Sequence, residues 1–204
     1  MAKRVYISAD YDLTSGDRNV VEVLNKWGKD DYHKVEFVDM AQVISGSVSV
    51  DNPDCRACDL KAEFNSQINA SSVIIFVVGD KTSSRTAGAS CERMRKEWYE
   101  CECTPYKQNT KGSKNCKHFT TRDVGPGEDL GNINSYSYLR HEFEQAKRKG
   151  KQIIILYNSM ITRESWLPYY MSDYKDRAFP FWTTNSKGER VGNYQLVKNL
   201  LGYE

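Results

Sequence analysis

Tyr138-Leu-Arg-His-Glu-Phe-Glu-Gln-Ala-Lys-Arg-Lys-Gly-Lys-Gln-Ile-Ile-Ile-Leu-Tyr157 reads as a helix, a stop and a buried strand. Leu139, Phe143 and Ala146 recur at helical spacing, and Gly150 follows a Lys/Arg-rich last turn, as a helix C-terminus requires. The run Ile153-Ile-Ile-Leu-Tyr157 is continuous rather than alternating, which predicts a strand covered on both faces. On the helical wheel Glu142 falls one turn after Leu139 and one turn before Ala146, at the margin of the apolar stripe, whereas Glu144 points away and reads as solvated. A carboxylate half tucked against apolar surface is a group whose reactivity a site can adjust. A boundary Glu that pairs with a nearby Arg or Lys is the alternative.

Working outward, strands and helices alternate along the chain. Lys3-Arg-Val-Tyr-Ile-Ser-Ala9 predicts a first strand that enters the polar turn Asp10-Tyr-Asp-Leu-Thr-Ser-Gly16, and Val20, Val23, Leu24 and Trp27 predict a helix. Lys34-Val-Glu-Phe-Val-Asp39 is a second strand. Leu60, Phe64 and Ile68 mark a second helix, with Asp59 as its candidate cap. Ser72-Val-Ile-Ile-Phe-Val-Val-Gly79 is a third strand, apolar throughout. Arg177-Ala-Phe-Pro-Phe-Trp182 predicts a last strand, placed at an edge by its proline, and Tyr194, Val197 and Leu201 a closing helix. Right-handed crossovers between such strands imply an α/β protein with a mostly parallel central sheet and helices on both faces, a three-layer, flavodoxin-like arrangement.

Between Lys81 and Ser135 the alternation stops. More than fifty residues rich in Cys, Lys, Ser, Gly and Asn replace the short loop expected before the Glu142 helix. We read residues 1–204 as one domain with a Cys-containing insertion at about 83–134. Within it, Ala89 to Tyr99 suggests a helix, with Cys91, Met94 and Trp98 on one side, and Gly125-Pro-Gly127 a turn.

With 29 basic and 27 acidic residues the formal charge is only +2, which points to neither nucleic acid nor an anionic membrane. Met1-Ala-Lys-Arg leads directly into the first strand, and no stretch approaches the roughly 20 apolar residues of a spanning helix. A soluble, cytoplasmic protein is the expectation, and its six cysteines then read as thiols or metal ligands rather than a disulfide framework.

In an open α/β sheet the ligand crevice lies beyond the carboxyl ends of the strands, where strand order reverses. For a flavodoxin-like order this is between the first and third strands, whose exits are Ser8-Ala-Asp-Tyr11 and Gly79-Asp-Lys-Thr82. Both are polar and offer backbone amides, hydroxyls and a lysine to phosphate or ribose. Ser8, Ala9, Asp10, Tyr11, Lys81 and Thr82 are therefore candidate ligand contacts, with ordinary turn formation as the alternative for each. The helix carrying Glu142 starts at the same rim.

Together, Lys3-Arg-Val-Tyr-Ile-Ser8, Val78-Gly-Asp-Lys-Thr82, Tyr138-Leu-Arg-His-Glu142 and Gly150-Lys-Gln-Ile-Ile-Ile155 resemble the TIR domains, and among them the stand-alone bacterial TIR proteins of the Thoeris antiphage type. The resemblance spans the sheet and helices but not the insertion. It implies that Glu142 is the catalytic residue for cleaving the nicotinamide glycosidic bond of NAD, with NAD as substrate bound by the strand exits. It also implies an ADP-ribose-derived signalling nucleotide that activates a partner effector, with a homo-oligomer as a possible assembly. A TIR scaffold that signals by self-association without catalysis is one alternative. An enzyme resembling nucleoside deoxyribosyltransferases, with a carboxylate nucleophile on the same fold, is another.

The insertion carries Cys101-Glu-Cys103 and Cys116-Lys-His118, so Cys101, Cys103, Cys116 and His118 are candidate zinc ligands, with small buried thiols as the alternative. Cys55 and Cys58 form a separate Cys-x-x-Cys before the second helix. The insertion enters between the third strand and the Glu142 helix, where a lid over the crevice or an acceptor-selecting element would sit. His33 and His141 read as surface or interface residues, and Tyr169, Tyr170 and Tyr174 as aromatics at core edges or interfaces.

Overall fold

Val73-Ile-Ile-Phe-Val-Val78 is buried at every position, and the rest of the fold is arranged around it. The computed structural model describes residues 3–9, 16–29, 35–39, 64–85, 102–103, 114–115 and 137–203. Strands β1 (Lys3–Ser8), β2 (Val35–Asp39), β3 (Val73–Val78), β6 (Gln152–Tyr157) and β7 (Ala178–Pro180) form one sheet in the order β2-β1-β3-β6-β7, and all four pairings are parallel. Counting only these strands, the order is 2-1-3-4-5, compatible with a flavodoxin-like fold whose reversal point lies between β1 and β3. Among the described residues two short antiparallel ladders are added: β4 (Glu102–Cys103) with β5 (Lys114–Asn115), and β8 (Trp182–Thr184) with β9 (Arg190–Gly192).

The pleat sorts the side chains of each strand to two cores. One face carries Tyr6, Phe76, Val78, Ile155 and Tyr157, covered by α2 (residues 64–70), α3 (Tyr138–Arg148) and the 3-10 segment Tyr169–Arg177. The opposite face carries Val5, Ile7, Ala9, Val73, Ile75, Val77, Ile154 and Leu156 against α1 (Asp17–Trp27) and α4 (Tyr194–Leu200). β3, in the middle, feeds both cores, which is why its sequence does not alternate.

Helix α3 starts at Ser137, whose hydroxyl accepts the Arg140 amide at 3.3 Å. It ends in a Schellman motif. Gly150 takes φ +60°, its amide donates to Lys147 O, and the Lys151 amide donates to Ala146 O. The Gly150 stop read from the sequence is therefore made by the left-handed conformation that glycine adopts without strain. The second helix is described from Phe64 onward, so Asp59 and Leu60 lie outside the described residues, as do the expected 89–99 helix and the turn at 125–127.

The expected single strand 177–182 is two elements. Ala178–Pro180 is the edge strand of the sheet, and the proline ends it. After Phe181, Trp182 begins a hairpin turned at 185–189, where the Asn185 side chain accepts the amides of Lys187 and Glu189 and Gly188 takes φ +79°.

Candidate active site

Tyr6 and Ser8 are two residues apart on β1, so both point to the α3 side of the sheet. Glu142, in the second turn of α3, meets them. Tyr6 Oη donates to Glu142 Oε1 at 2.5 Å, and Ser8 Oγ donates to Glu142 Oε2. Glu142 is 1 % exposed, and Tyr6 and Ser8 are fully buried. Burial pushes the carboxyl up from 4.5 to about 7, with the Ser8 and Tyr6 hydroxyls each holding it back. Ser8 ends β1, so the carboxylate lies at the carboxyl end of the strand that flanks the reversal point.

The marginal position expected for Glu142 is corrected by this packing, and among the described residues its partners are hydroxyls rather than the Arg or Lys of the alternative reading. Helix α3 is enclosed over a wide arc because it packs on the sheet and also on both flanks. Phe64 of α2 meets Tyr138 edge to face at 5.3 Å, and Tyr170 and Tyr174 meet Phe143 at 5.8 and 5.2 Å. His141, expected at a surface or interface, is likewise buried, with Nε2 3.0 Å from Asn65 Oδ1 of α2. Glu144 is half-exposed and lies 3.9 Å from Lys147, a contact of little energetic weight.

Beside the carboxylate stands Tyr170. Burial pushes its hydroxyl up to about 12, the nearby Glu142 charge adds to the rise, and Ser137 and Arg140 oppose it. Among the described residues the hydroxyl makes no hydrogen bond of regular geometry, although Ser137 is close enough to act on it. The Arg140 guanidinium lies over the rings of Tyr169 and Tyr170, 5.5 and 5.8 Å from their centroids, and Tyr169 itself is 73 % exposed. A carboxylate, two hydroxyl donors, an arginine and an exposed aromatic face are thus gathered at one end of α3.

The other sequence candidates divide. Ser8 is brought to Glu142. Ala9 is buried in the opposite core, so only its backbone faces the strand exit. Thr82 is buried, and its hydroxyl accepts the Gly79 amide at 2.8 Å, which makes it a turn-forming residue. Lys81 is exposed on the same turn. Asp10, Tyr11, Cys101, Cys116 and His118 lie outside the described residues, as do Cys55, Cys58 and His33, and of Cys103 only the backbone is described. The β4–β5 pairing sets residues 102–103 beside 114–115. Among the described residues no group of three His, Cys, Asp or Glu is arranged to hold a metal, and no helix is long and apolar enough to cross a membrane.

Tyr6 is the site residue that the sequence reading missed. A tyrosine between apolar neighbours in a central strand carries a hydroxyl that needs a buried partner, and Glu142 is a polar residue of the helix facing it.

The fold and site define an α/β protein with a parallel five-stranded sheet and a buried, hydroxyl-bonded carboxylate at the sheet's carboxyl end. No family model matches the chain, and no curated protein matches it.

Proposed function

We propose that the protein is a TIR-type enzyme that cleaves the nicotinamide glycosidic bond of NAD, with Glu142 as its catalytic carboxylate. The observation that carries this reading is the enclosure of Glu142 between Tyr6 and Ser8 at the carboxyl end of β1. When the bond from ribose C1′ to nitrogen breaks, its electron pair leaves with nicotinamide, which departs neutral and needs no general acid. The ribosyl fragment becomes cationic, and a carboxylate fixed beside it stabilises charge that exists only near the transition state. A carboxyl titrating at about 7 is also suited to take the proton of the water or hydroxyl that then attacks C1′. Release of an ADP-ribose-derived signal to a partner effector in antiphage defence is the biological role we attach to this chemistry, on the resemblance to the Thoeris proteins.

At 1 % exposure Glu142 is reached only after the packing around it opens. That enclosure favours, as a second reading, a scaffold that signals by self-association. Incubation with NAD and chromatography of the products separates the two. Nicotinamide release by the wild-type chain, reduced on the order of 10²-fold or more in Glu142→Gln and little changed in Glu144→Gln, is the expected result. Equal turnover by the two variants would remove Glu142 from the mechanism. No release under any assembly condition leaves the scaffold.

A further inference from the structure

The two oxygens of Glu142 are held differently. Ser8, which donates to Oε2, is the last residue of β1 and lies at the rim, whereas Tyr6, which donates to Oε1, comes from inside the strand. Strand β1 is paired on both sides, to β2 and to β3, so the Tyr6 backbone has no room to shift. Its ring is fully buried in the core that α3 also fills. A donor mounted this rigidly fixes both the direction of the carboxylate and the form it prefers, because a phenol that donates to a carboxylate loses that bond when the same oxygen takes a proton.

We infer that Tyr6 is a positioning residue for Glu142, holding Oε1 from inside the sheet so that the carboxylate is fixed, charged and presented through Oε2 toward the rim where a ribose would arrive. The inference rests on the catalytic reading of Glu142 for its functional meaning. It concerns a hydrogen bond, however, that can be tested without turnover. Among the described residues, the groups around the carboxylate are few. From β1 come Tyr6 and Ser8; from Tyr169–Arg177 comes Tyr170, which senses the Glu142 charge. On α3 itself Arg140 is turned onto the rings of Tyr169 and Tyr170, and His141 onto Asn65. Removing the Tyr6 hydroxyl therefore removes one of the two direct donors found among the described residues.

The experiment is an infrared pH titration of the full chain, following the protonated-carboxyl band that Glu142→Gln abolishes. Tyr6→Phe keeps the buried ring and is expected to move the midpoint of that band upward by about one pH unit, the size of one hydrogen bond to a charged group. Tyr6→difluorotyrosine, a stronger donor of nearly the same shape, is expected to move it downward. In NAD turnover, Tyr6→Phe should shift the acid limb of kcat in the same direction and lower kcat near neutrality about tenfold, with KM little changed. Midpoints unmoved in both variants overturn the inference. A wild-type chain that releases no nicotinamide overturns the catalytic reading instead, and the infrared midpoints still decide whether Tyr6 controls Glu142.

Discussion

Glu142 is held in place at a cost to the fold, and its titration gives the sign. Its folded-state pKa, about 7, lies above the ordinary 4.5, so between those values the folded chain binds more protons than the unfolded one. Stability from this group is complete below about 4.5 and is lost as pH rises through about 7. The displacement corresponds to roughly 3 kcal/mol. Glu142→Gln, neutral at every pH, should therefore melt higher than wild type at pH 8 and lose that advantage at pH 5, as thermal denaturation at the two values would reveal. A variant equally or less stable at pH 8 would mean that the burial penalty is already relieved. Little of this was legible in the sequence. The helical wheel places Glu142 correctly relative to Leu139 and Ala146, but a wheel has no information about what packs on the helix flanks. Here Phe64, Tyr170 and Tyr174 convert a marginal position into an enclosed one.

Elements meet closely where β3 leaves the sheet. Gly79 follows the last residue of β3, and a Cβ there would lie 2.6 Å from Asp17 Oδ1 at the buried start of α1. Asp17 Oδ1 in turn accepts from Asn158 Nδ2 at 2.9 Å, and Asn158 Oδ1 accepts from the Trp182 indole at 2.7 Å. The Asn158 backbone amide also donates to Val78 O at 2.9 Å, so the exit of β3, the entry of α1, the exit of β6 and the start of β8 are joined through one polar chain. Gly79→Ala must displace the Asp17 carboxylate from its hydrogen bond with Asn158, and should destabilise by about 1–3 kcal/mol in urea denaturation. An unchanged midpoint would show that α1 can withdraw freely. The strands themselves were plain from the sequence because β3 and β6 are continuous apolar runs. The β8–β9 hairpin was not, although Asn185-Ser186-Lys187-Gly188 between two short β-prone segments is a turn signal. The eye is drawn past it by the apolar run across Pro180, which joins in sequence what the edge of the sheet separates.

At the scale of the molecule, the order 2-1-3-4-5 is one of those that alternation and right-handed crossovers allow, and it puts Ser8 and Glu142 at the same end of the sheet. Composition does not determine what the residues between Thr82–Ser84 and α3 contribute. Both ends of the insertion attach at one crossover, β3 to α3, which commonly needs only a few residues. Replacing residues 87–134 by a short Gly/Ser linker should therefore leave a chain that unfolds cooperatively. Loop-closure entropy alone favours it by roughly 1 kcal/mol, at about 0.6 kcal/mol for each of two halvings of loop length. Circular dichroism melting and urea titration read the result. A shortened chain that is less stable than wild type would show that the insertion supplies packing worth more than its closure entropy. A chain of equal or greater stability whose NAD turnover is altered would instead assign the insertion to substrate access or acceptor choice at the Glu142 crevice.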